Sequence, residues 1–533
     1  MSNPVRGRRG IAVAPHALAS QSAIGVLREG GNAIEAMVAA AATIAVVYPH
    51  MNSIGGDGFW LMSLGGQGPR EVLGVEGCGA AARGVSRERY PDAAAIPFRG
   101  PSAAITVAGT ISAWARCMRL SSERLGGRMP LSRLLADAID YATNGAPVTA
   151  GQARTTHARR GELAEIAGFA PVFMPDGEVP AVGTLLRQPR LAATLERLAH
   201  AGLNDFYVGD LAASIANDLQ ALGSPLTRAD LAEHRAVDRQ PLSIAHSAGR
   251  LYNMPPPTQG MVSLMILGIM DRLPASRTDP LGADYVHAAV EATKCAFRIR
   301  DAHLTDPRHM RVEPGEFLSG ASLERMAGTV DPTLAAAWGT GKGPGDTVWL
   351  GVIDGDGNAV SMIQSVYHEF GSGIVLPASG VTWQNRGASF SLDAAHINAL
   401  EPGKKPFHTL NPALAHLADG RTIVYGNMGG DGQPQTQSAV FTRTVVHGMN
   451  PQDAIDAPRW LLGRTWGQSS DTLKLESRFP AATIERLAAM GHAVEVIDAF
   501  DEACGHAGCA VARPDGSLEG AADPRSDGAV AAF

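Results

Sequence analysis

The sequence predicts a layered α+β protein rather than an alternating β/α fold. Helix-like and strand-like segments occur together at both ends of the chain, with a long helix-rich stretch between them. Apolar residues make up 45% of the 533 residues and charged residues 18%, which allows a large core and argues against disorder. A chain of this length holds about two to four domains or one large layered body.

The first part of the chain predicts a helix pair followed by a strand pair. Gly30-Gly31-Asn32 separates the two helices, and Gly65-Gly66 would turn the two strands into a hairpin. Residues 130–345 contain mostly helix-like segments with Pro and Gly breaks. The predicted elements of the first part are helices over 17–30 and 33–47 and strands over 59–64 and 71–75.

Strand-like runs dominate the chain after residue 346. Their apolar and β-branched residues favour a sheet, and two helical patterns interrupt them. The predicted elements of this part are strands over 347–353, 359–366, 373–377, 422–426 and 509–513 and helices over 434–448 and 481–490.

The junction at Thr347 is the most informative local feature. A loose Gly-rich run over 339–345 ends at Asp346-Thr347, where an apolar strand begins. Threonine is a common strand residue, so an ordinary loop-to-strand junction is one interpretation. The other is a chain that cleaves itself before Thr347 and so places a new α-amine beside the threonine hydroxyl. An α-amine titrates near ~8 and can accept a proton close to neutral pH.

The motif Gly-Gly-Asp-Gly occurs twice, at 55–58 and at 429–432. The second copy follows a predicted strand and precedes a predicted helix, an arrangement whose free N–H groups can bind an anion. A nucleotide phosphate is one candidate, although the Lys-Ser/Thr of a P-loop does not follow. The other is an oxyanion hole formed by the amides of Gly429 and Gly430.

The sequence predicts neither a metal ion nor a cofactor. Asp354-x-Asp356-x-Asn358 lacks the Gly and Glu that a calcium loop needs later, so a hairpin turn is expected. His408 and His416 are eight positions apart with a proline between them, which does not favour a shared metal. The five cysteines are scattered and predict small buried side chains rather than disulfides.

Charge and hydropathy restrict the partners and the compartment. The net charge is −7 and no basic stripe is present, so neither nucleic acid nor an acidic membrane is an expected partner. The longest apolar run, 36–48, is too short to span a bilayer. The N-terminal positive charges are not followed by a sustained apolar run, so no signal peptide is predicted and a cytoplasmic protein is expected.

Ordered motifs over nearly the whole chain resemble one enzyme family. They are Leu18-Ala19-Ser20, Leu27-Arg28-Glu29-Gly30-Gly31-Asn32-Ala33, Ile54-Gly55-Gly56, Thr347, Asp356-Gly357-Asn358-Ala359-Val360, Phe370-Gly371-Ser372-Gly373, Asn411-Pro412, Gly429-Gly430, Ala457-Pro458-Arg459 and Asp523-Pro524-Arg525-Ser526. In this order and spacing they are similar to the γ-glutamyltranspeptidase family of N-terminal nucleophile hydrolases.

The resemblance implies a proenzyme that cleaves itself between Asp346 and Thr347. Its fragments, 1–346 and 347–533, would form a heterodimer that jointly builds a four-layer αββα sandwich; a dimer of heterodimers stays open. Thr347 would be both nucleophile and base, and no cofactor is implied. Gly429 and Gly430 match the family's oxyanion donors, and Ser365 matches a hydroxyl that contacts the nucleophile.

The positions that bind a γ-glutamyl head in the family differ here. The glutamyl-binding Arg, Asn, Gln, Asp and Ser-Ser pair correspond, in order, to Glu76, Tyr367, Arg386, Ser389 and His408-Thr409. Glu76 is therefore expected to repel an anion at that end of the pocket. The sequences at 363–370 and 383–387 instead resemble a cytosolic branch of the family that includes oxamate amidohydrolase.

The resulting hypothesis is a threonine amidohydrolase for a small carboxylate-bearing amide, oxamate above all. Arg386 would grip the substrate carboxylate with its planar fork, assisted by Tyr367, His408 and Thr409. A structural pairing of Arg386 with an acid such as Glu369 is the alternative for that residue. Two other functions stay open: a γ-glutamyl hydrolase or transferase acting on glutathione-like substrates, and a catalytically silent binding protein.

Overall fold

The computed structural model describes residues 3–65, 70–338, 346–463 and 470–533. The strands in these ranges are β1 Val5–Gly7, β2 Gly10–Ala14, β3 Asp57–Leu64, β4 Glu71–Gly77, β5 Ala146–Pro147, β6 Leu185–Leu186, β7 Val237–Arg239, β8 Leu242–His246, β9 Gly249–Asn253, β10 Asp346–Asp354, β11 Ala359–Tyr367, β12 Ala413–Leu417, β13 Thr422–Asn427, β14 Trp460–Leu462, β15 Leu473–Glu476, β16 Val494–Ile497, β17 Ala507–Ala512, β18 Leu518–Ala522 and β19 Ala529–Ala532.

Most of the helices lie between β4 and β10 along the chain. The α-helices in the described ranges are α1 Ala17–Arg28, α2 Ala33–Val47, α3 Thr110–Leu125, α4 Leu131–Leu134, α5 Ala136–Asn144, α6 Ala150–Leu163, α7 Phe169–Phe173, α8 Pro189–Ala201, α9 Asp205–Val208, α10 Asp210–Ala221, α11 Arg228–Glu233, α12 Gly260–Met270, α13 Ala283–His303, α14 Pro314–Leu318, α15 Gly320–Ala327, α16 Gly432–Phe441, α17 Pro451–Asp456 and α18 Ala481–Ala489. Among the helices of these ranges, none combines the length and apolar character that a membrane span requires.

Two antiparallel seven-stranded sheets form the centre of the fold. Sheet I has the strand order β19-β2-β10-β11-β3-β4-β7, and sheet II has the order β1-β18-β17-β13-β12-β9-β8. Apolar side chains from both sheets form one cluster between them. Helices α1 and α2 cover the outer face of sheet I, and α12 and α16 cover that of sheet II. This confirms the predicted four-layer αββα sandwich.

Helix α2 shows how the sequence fixes one of these layers. All of its residues are buried, as expected of a helix that is apolar on every side. Asn32 and Glu35 form a capping box at its N-terminus. The carboxylate of Asp354, in the turn between β10 and β11, also accepts a hydrogen bond from Ala33 N at 3.0 Å. The first helical layer is thereby tied to the turn of the central hairpin.

Most of the predicted elements are confirmed. Helices 17–30, 33–47 and 481–490 and strands 59–64, 71–75, 347–353, 359–366, 422–426 and 509–513 occur with small changes at their ends. The turn at Asp354-x-Asp356-x-Asn358 is the predicted hairpin turn, with Asp354 Oδ1 accepting from Asp356 N and Asn358 N. The predicted loose run 339–345 and the hairpin tip at Gly66 lie outside the described residues.

Three predictions of secondary structure are wrong or incomplete. The predicted strand 373–377 has a single bridge, Val375 to Thr382, because Gly371 and Gly373 adopt positive φ and turn the chain. The predicted helix 434–448 is α-helical only to Phe441 and continues as a π-helical turn. The helix-rich region 130–345 also supplies β7, β8 and β9, which are edge or near-edge strands of both sheets.

A single tryptophan fills the space between the sheets close to Thr347. Trp349 is 2% exposed, and its indole N–H donates to Ser361 Oγ at 2.9 Å. A Cβ atom added at Gly351 of sheet I, or at Gly426 or Gly508 of sheet II, would overlap the indole ring. Three glycines therefore make room for one large ring, and this allows the two sheets to approach each other.

Gly426→Ala is expected to lower the free energy of unfolding by about 1–3 kcal/mol, because the new methyl group overlaps a ring that cannot move within a packed core. Gly161→Ala in helix α6 is the matched control, since nothing lies within 4 Å of the added methyl group. That variant should be neutral or up to about 1 kcal/mol more stable. Denaturant unfolding of both variants tests this, and equal stabilities would contradict the packing of Trp349.

Candidate active site

Thr347 lies in an irregularity of the central strand pair. β10 and β11 pair in one register at Asp346 and Tyr367 and in another at Val348 and Gln364, so the chain bulges at Thr347. A bulge of this kind redirects a side chain and is common beside active sites. The Thr347 side chain is 1% exposed, and among the described residues its hydroxyl has no hydrogen-bond partner. A buried hydroxyl without a partner is suited to reaction.

Ser365 and Tyr367 on β11 lie next to this bulge. Ser365 Oγ accepts a hydrogen bond from Tyr367 N at 2.8 Å and from Arg386 Nη2 at 3.4 Å. Tyr367 has a φ of 86°, a left-handed conformation that side chains rarely adopt. Such strained residues concentrate at functional sites. The structure thus brings Thr347, Ser365, Tyr367 and Arg386 together at one end of the central hairpin.

Arg386 is a buried cation with unused hydrogen-bond donors. Its side chain is 0% exposed, and within the described ranges Nε and Nη1 have no hydrogen-bond partner. The guanidinium lies 4.2 Å from the centroid of the Tyr367 ring. Burial lowers the pKa of Arg386, but an arginine still keeps its charge. Two free donors on a buried cation are suited to an anionic ligand.

Glu369 is not the partner of Arg386 among the described residues. Glu369 pairs instead with Arg159, at 2.9 Å, and lies 3.8 Å from Arg99. The acid whose charge reaches Arg386 is Asp57, which faces Ser365 across the β11–β3 pair. Ser389, at the end of the same short turn, donates its hydroxyl to the Arg386 carbonyl at 2.9 Å.

Asp57 is a site residue that the sequence analysis did not assign. Its Oδ1 atom accepts hydrogen bonds from Gly109 N at 3.0 Å, Gly79 N at 3.3 Å and Gln384 Nε2 at 3.3 Å. Burial raises the pKa of the Asp57 carboxyl to about 6, although Arg386 and the Gly79 amide oppose that shift. The signal available from the sequence was its place in the first Gly-Gly-Asp-Gly motif.

The Gly429-Gly430 loop is held in a conformation that few other residues could adopt. Gly429 has a φ of 113° and Gly430 a φ of 50°. The Gly430 carbonyl accepts from Gln259 Nε2 at 2.9 Å, and the same amide donates to the Thr409 carbonyl at 3.1 Å. Gln259 therefore joins the glycine loop to the His408-Thr409 segment.

A buried ion pair anchors the same loop. Asp431 accepts from Arg300 Nη1 at 2.7 Å, and both side chains are at most 2% exposed. Arg300 also donates to Gln259 Oε1 at 3.1 Å. Burial raises the pKa of the Tyr367 hydroxyl, which the charge of Arg386 opposes and that of Asp431 reinforces. Nothing in the local sequence singles out Gln259 or Arg300.

The predicted substrate-binding residues His408 and Thr409 have different surroundings. His408 Nε2 lies 3.0 Å from Cys78 Sγ and 3.2 Å from Asp57 Oδ2, so its ring faces these groups. Thr409 is buried, and within the described ranges its hydroxyl has no hydrogen-bond partner. The Thr409 hydroxyl is thus available to a ligand, whereas the His408 ring contacts Cys78 and Asp57.

The expected repulsion of an anion by Glu76 is wrong. Glu76 is buried and forms ion pairs with Arg239, at 2.6 Å, and with Lys405. Two cations compensate one carboxylate, so no uncompensated negative charge remains at this position. The sequence alone could not show this, because both partners are distant along the chain.

The family assignment follows from these features together with a comparison to known proteins. A family model described as gamma-glutamyltranspeptidase matches residues 19–533. The chain belongs to the γ-glutamyltranspeptidase family. This confirms the resemblance drawn from the motifs and makes the chain an N-terminal nucleophile hydrolase.

Proteins similar to this chain include an amidohydrolase, a glutathione hydrolase-like protein and an acylase. The chain is 57% identical over 524 residues to the oxamate amidohydrolase proenzyme of Klebsiella pneumoniae subsp. pneumoniae, covering 98% of each chain. It is 41% identical over 530 residues to the glutathione hydrolase-like YwrD proenzyme of Bacillus subtilis, covering 99% of each. The structure of cephalosporin acylase from Bacillus halodurans matches with a TM-score of 0.91 at 34% identity, covering 100% of this chain and 97% of that one.

The raised pKa of Asp57 predicts a pH-dependent stability. Between about pH 4 and 6 the folded protein keeps a proton that the unfolded chain has released, so the free energy of unfolding falls as pH rises. Asp57→Asn removes this titration. From pH 4 to pH 7 it should gain about 2 kcal/mol of stability relative to its parent.

Both proteins in this measurement should carry Thr347→Ala, so that a single uncleaved chain unfolds in each case. Denaturant titrations at several pH values give the difference in unfolding free energy. A difference that stays constant from pH 4 to pH 7 would show that Asp57 has an ordinary pKa.

Proposed function

We propose that this chain is a self-processing threonine amidohydrolase that converts oxamate to oxalate and ammonia. The proposal depends on the buried side chain of Arg386. Among the described residues its Nε and Nη1 atoms have no hydrogen-bond partner, and its Nη2 atom lies 3.4 Å from Ser365 Oγ. The oxamate amidohydrolase name of the relative at 57% identity supports the same substrate.

The position of Arg386 favours a short substrate. Ser365 lies on β11 beside the strand that carries Thr347, and its hydroxyl accepts from the Arg386 guanidinium, so the cation would act close to the nucleophile. In oxamate the carboxylate is bonded directly to the amide carbon, and a bidentate grip by Arg386 would present that carbon to Thr347. In a γ-glutamyl group three carbons separate the α-carboxylate carbon from the amide carbon, which does not suit so close a cation.

Self-cleavage would come first. The Thr347 hydroxyl attacks the carbonyl carbon of Asp346, the acyl group passes from nitrogen to oxygen, and water hydrolyses the resulting ester. This releases the α-amine of Thr347 beside its own hydroxyl. Fragments 1–346 and 347–533 would remain together, because β10 lies between β2 and β11, and β11 between β10 and β3.

Turnover would use the same hydroxyl on the substrate. Thr347 Oγ attacks the amide carbon while the α-amine accepts its proton, and the N–H groups of Gly429 and Gly430 stabilise the oxyanion. The α-amine then protonates the leaving nitrogen and ammonia departs. Water, activated by the same amine, cleaves the ester and releases oxalate. Ser365 would contact the nucleophile, and Tyr367 and Thr409 would complete the pocket beside Arg386.

Hydrolysis of glutathione is the second candidate, since the relative at 41% identity is named a glutathione hydrolase-like proenzyme. Release of ammonia from oxamate and release of glutamate from glutathione, with and without an acceptor dipeptide, separate the two activities. A purified protein that stays unprocessed and releases neither product would favour the binding homologue.

Thr347→Ala should leave one uncleaved chain and no amidase activity, because the hydroxyl needed for the acyl shift is gone. The parent protein should show two bands on a denaturing gel and one species under native conditions. Full processing of the variant would refute the assignment of Thr347.

Arg386→Lys should raise KM for oxamate about 10- to 100-fold, because it keeps the charge but loses the planar guanidinium and its bidentate pair of hydrogen bonds. Self-cleavage should be unaffected. Arg159→Lys is the matched control, since Arg159 pairs with Glu369 instead. Steady-state kinetics on processed protein test this prediction. An unchanged kcat/KM in Arg386→Lys would show that another residue binds the substrate carboxylate.

A further inference from the structure

A second cluster of reactive side chains lies beside the candidate active site. Cys78 follows β4, one position beyond the Gly58–Gly77 pair, and therefore lies next to Asp57 at the start of β3. His408 reaches the same point, with Nε2 at 3.0 Å from Cys78 Sγ and at 3.2 Å from Asp57 Oδ2. All three residues are buried. The sequence predicts Cys78 only as an inert buried side chain.

The three donor atoms have the chemistry of a zinc site. Thiolate sulfur, imidazole nitrogen and carboxylate oxygen are the ligands that zinc and similar transition metals prefer. The donor atoms of Asp57, Cys78 and His408 all lie within 4.8 Å of one another. Ligands around a tetrahedral zinc ion are roughly 3.5 Å apart. The distances from His408 Nε2, 3.0 Å to Cys78 Sγ and 3.2 Å to Asp57 Oδ2, are close to that spacing.

The carboxylate of Asp57 is already oriented for this role. Oδ1 accepts three hydrogen bonds from Gly79, Gly109 and Gln384. Oδ2 has no hydrogen-bond partner in the described part of the chain, although His408 Nε2 is 3.2 Å away. Fixing one carboxylate oxygen while leaving the other free is how outer hydrogen bonds orient a metal ligand.

His408 is similarly restrained. Its backbone N–H donates to the Pro257 carbonyl at 2.9 Å, and its carbonyl accepts from Gln259 N at 2.9 Å. The ring packs edge-on against Phe59, with centroids 4.9 Å apart. Burial lowers the pKa of His408 well below its usual value, so the ring is neutral. A neutral, immobilised imidazole is ready to coordinate a metal.

We propose that Asp57, Cys78 and His408 form a binding site for a zinc-class divalent metal ion. A doubly charged ion with one thiolate and one carboxylate is neutral overall, which is compatible with the nearby cation of Arg386. Cys78 also lines a cavity of about 470 Å³, which offers a path for the ion and room for a water as fourth ligand.

Metal binding would act on the neighbouring site through charge. The ion replaces the thiol proton of Cys78, which passes to solvent, so affinity should rise with pH. It also binds Asp57, a carboxylate whose charge acts on Arg386. Binding of the metal would then change the affinity of Arg386 for the substrate carboxylate, and binding of the carboxylate would change the affinity for the metal. The metal site itself does not depend on the oxamate proposal.

A second cluster with similar ligand types is less suited to a metal. His287 Nδ1 contacts His492 Nε2 at 2.8 Å, and His287 Nε2 contacts the Asp331 carbonyl at 2.7 Å. Glu291 pairs with Lys294 at 2.7 Å. Both nitrogens of His287 and the charge of Glu291 are therefore occupied, and this cluster contains no thiol.

Cobalt(II) titration of the metal-stripped, full-length protein tests the proposal. A cobalt ion bound through Cys78 gives a thiolate-to-metal charge-transfer absorption, which a site made of His and Glu cannot give. The parent should develop this band at one cobalt per chain. Cys117→Ser, whose thiol is buried in helix α3, should behave like the parent, and Cys78→Ser should lose the band.

A second readout guards against a folding defect in Cys78→Ser. His408→Gln keeps the thiol and should weaken cobalt affinity at least about tenfold. Zinc should raise the Tm of the parent and of Cys117→Ser, but not that of either cluster variant. The absence of a thiolate band in the parent, or a band that persists in Cys78→Ser, would overturn the metal site.

Discussion

The strand β10 is the constraint on which the rest of the structure depends. It lies inside sheet I, hydrogen-bonded to β2 on one side and to β11 on the other, and it carries Thr347 at its start. Two residues later Trp349 fills the gap between the sheets. β2 pairs with β10 only from Gly351 to Asp354, so the strand near the bulge at Thr347 is held by β11 on one edge and by the packing of Trp349 between the sheets. Rigid placement of this kind is what a nucleophile needs, because catalysis depends on geometry set before the reaction begins.

Buried charges organise the site around that strand. Arg386 lies over Tyr367 with free donors, Asp57 supplies a nearby negative charge, and the Asp431–Arg300 pair anchors the glycine loop. Each buried charge is costly unless it is compensated. Asp431 and Arg300 compensate each other directly, whereas Nε and Nη1 of Arg386 have no hydrogen-bond partner in the described part of the chain. This difference separates a structural ion pair from a ligand-binding cation, and it is the physical basis of the proposed carboxylate grip.

Two of the sequence motifs have a structural role that the sequence did not disclose. Arg459 contacts Asp523, and Arg525 contacts both Asp523 and Glu476, in a fully buried network. This network joins the loop before β14 to the loop that follows β18. Its members lie up to 66 positions apart in sequence. The type and order of these residues can be read from the sequence and help to identify the family. Their contacts with one another form only when the chain folds.

The sequence by itself determined the elements that depend on local pattern. Apolar periodicity located α1, α2, β3, β10, β11 and β13, and the motif order located the candidate nucleophile and the glycine loop, because these signals reside in neighbouring residues. The tertiary structure decided which charges meet. Glu76 pairs with Arg239 and Lys405, and Glu369 pairs with Arg159. Within the described residues two donor atoms of Arg386 have no partner, and Cys78 contacts His408. Side-chain partners across layers depend on how whole sheets pack, and no local pattern records that.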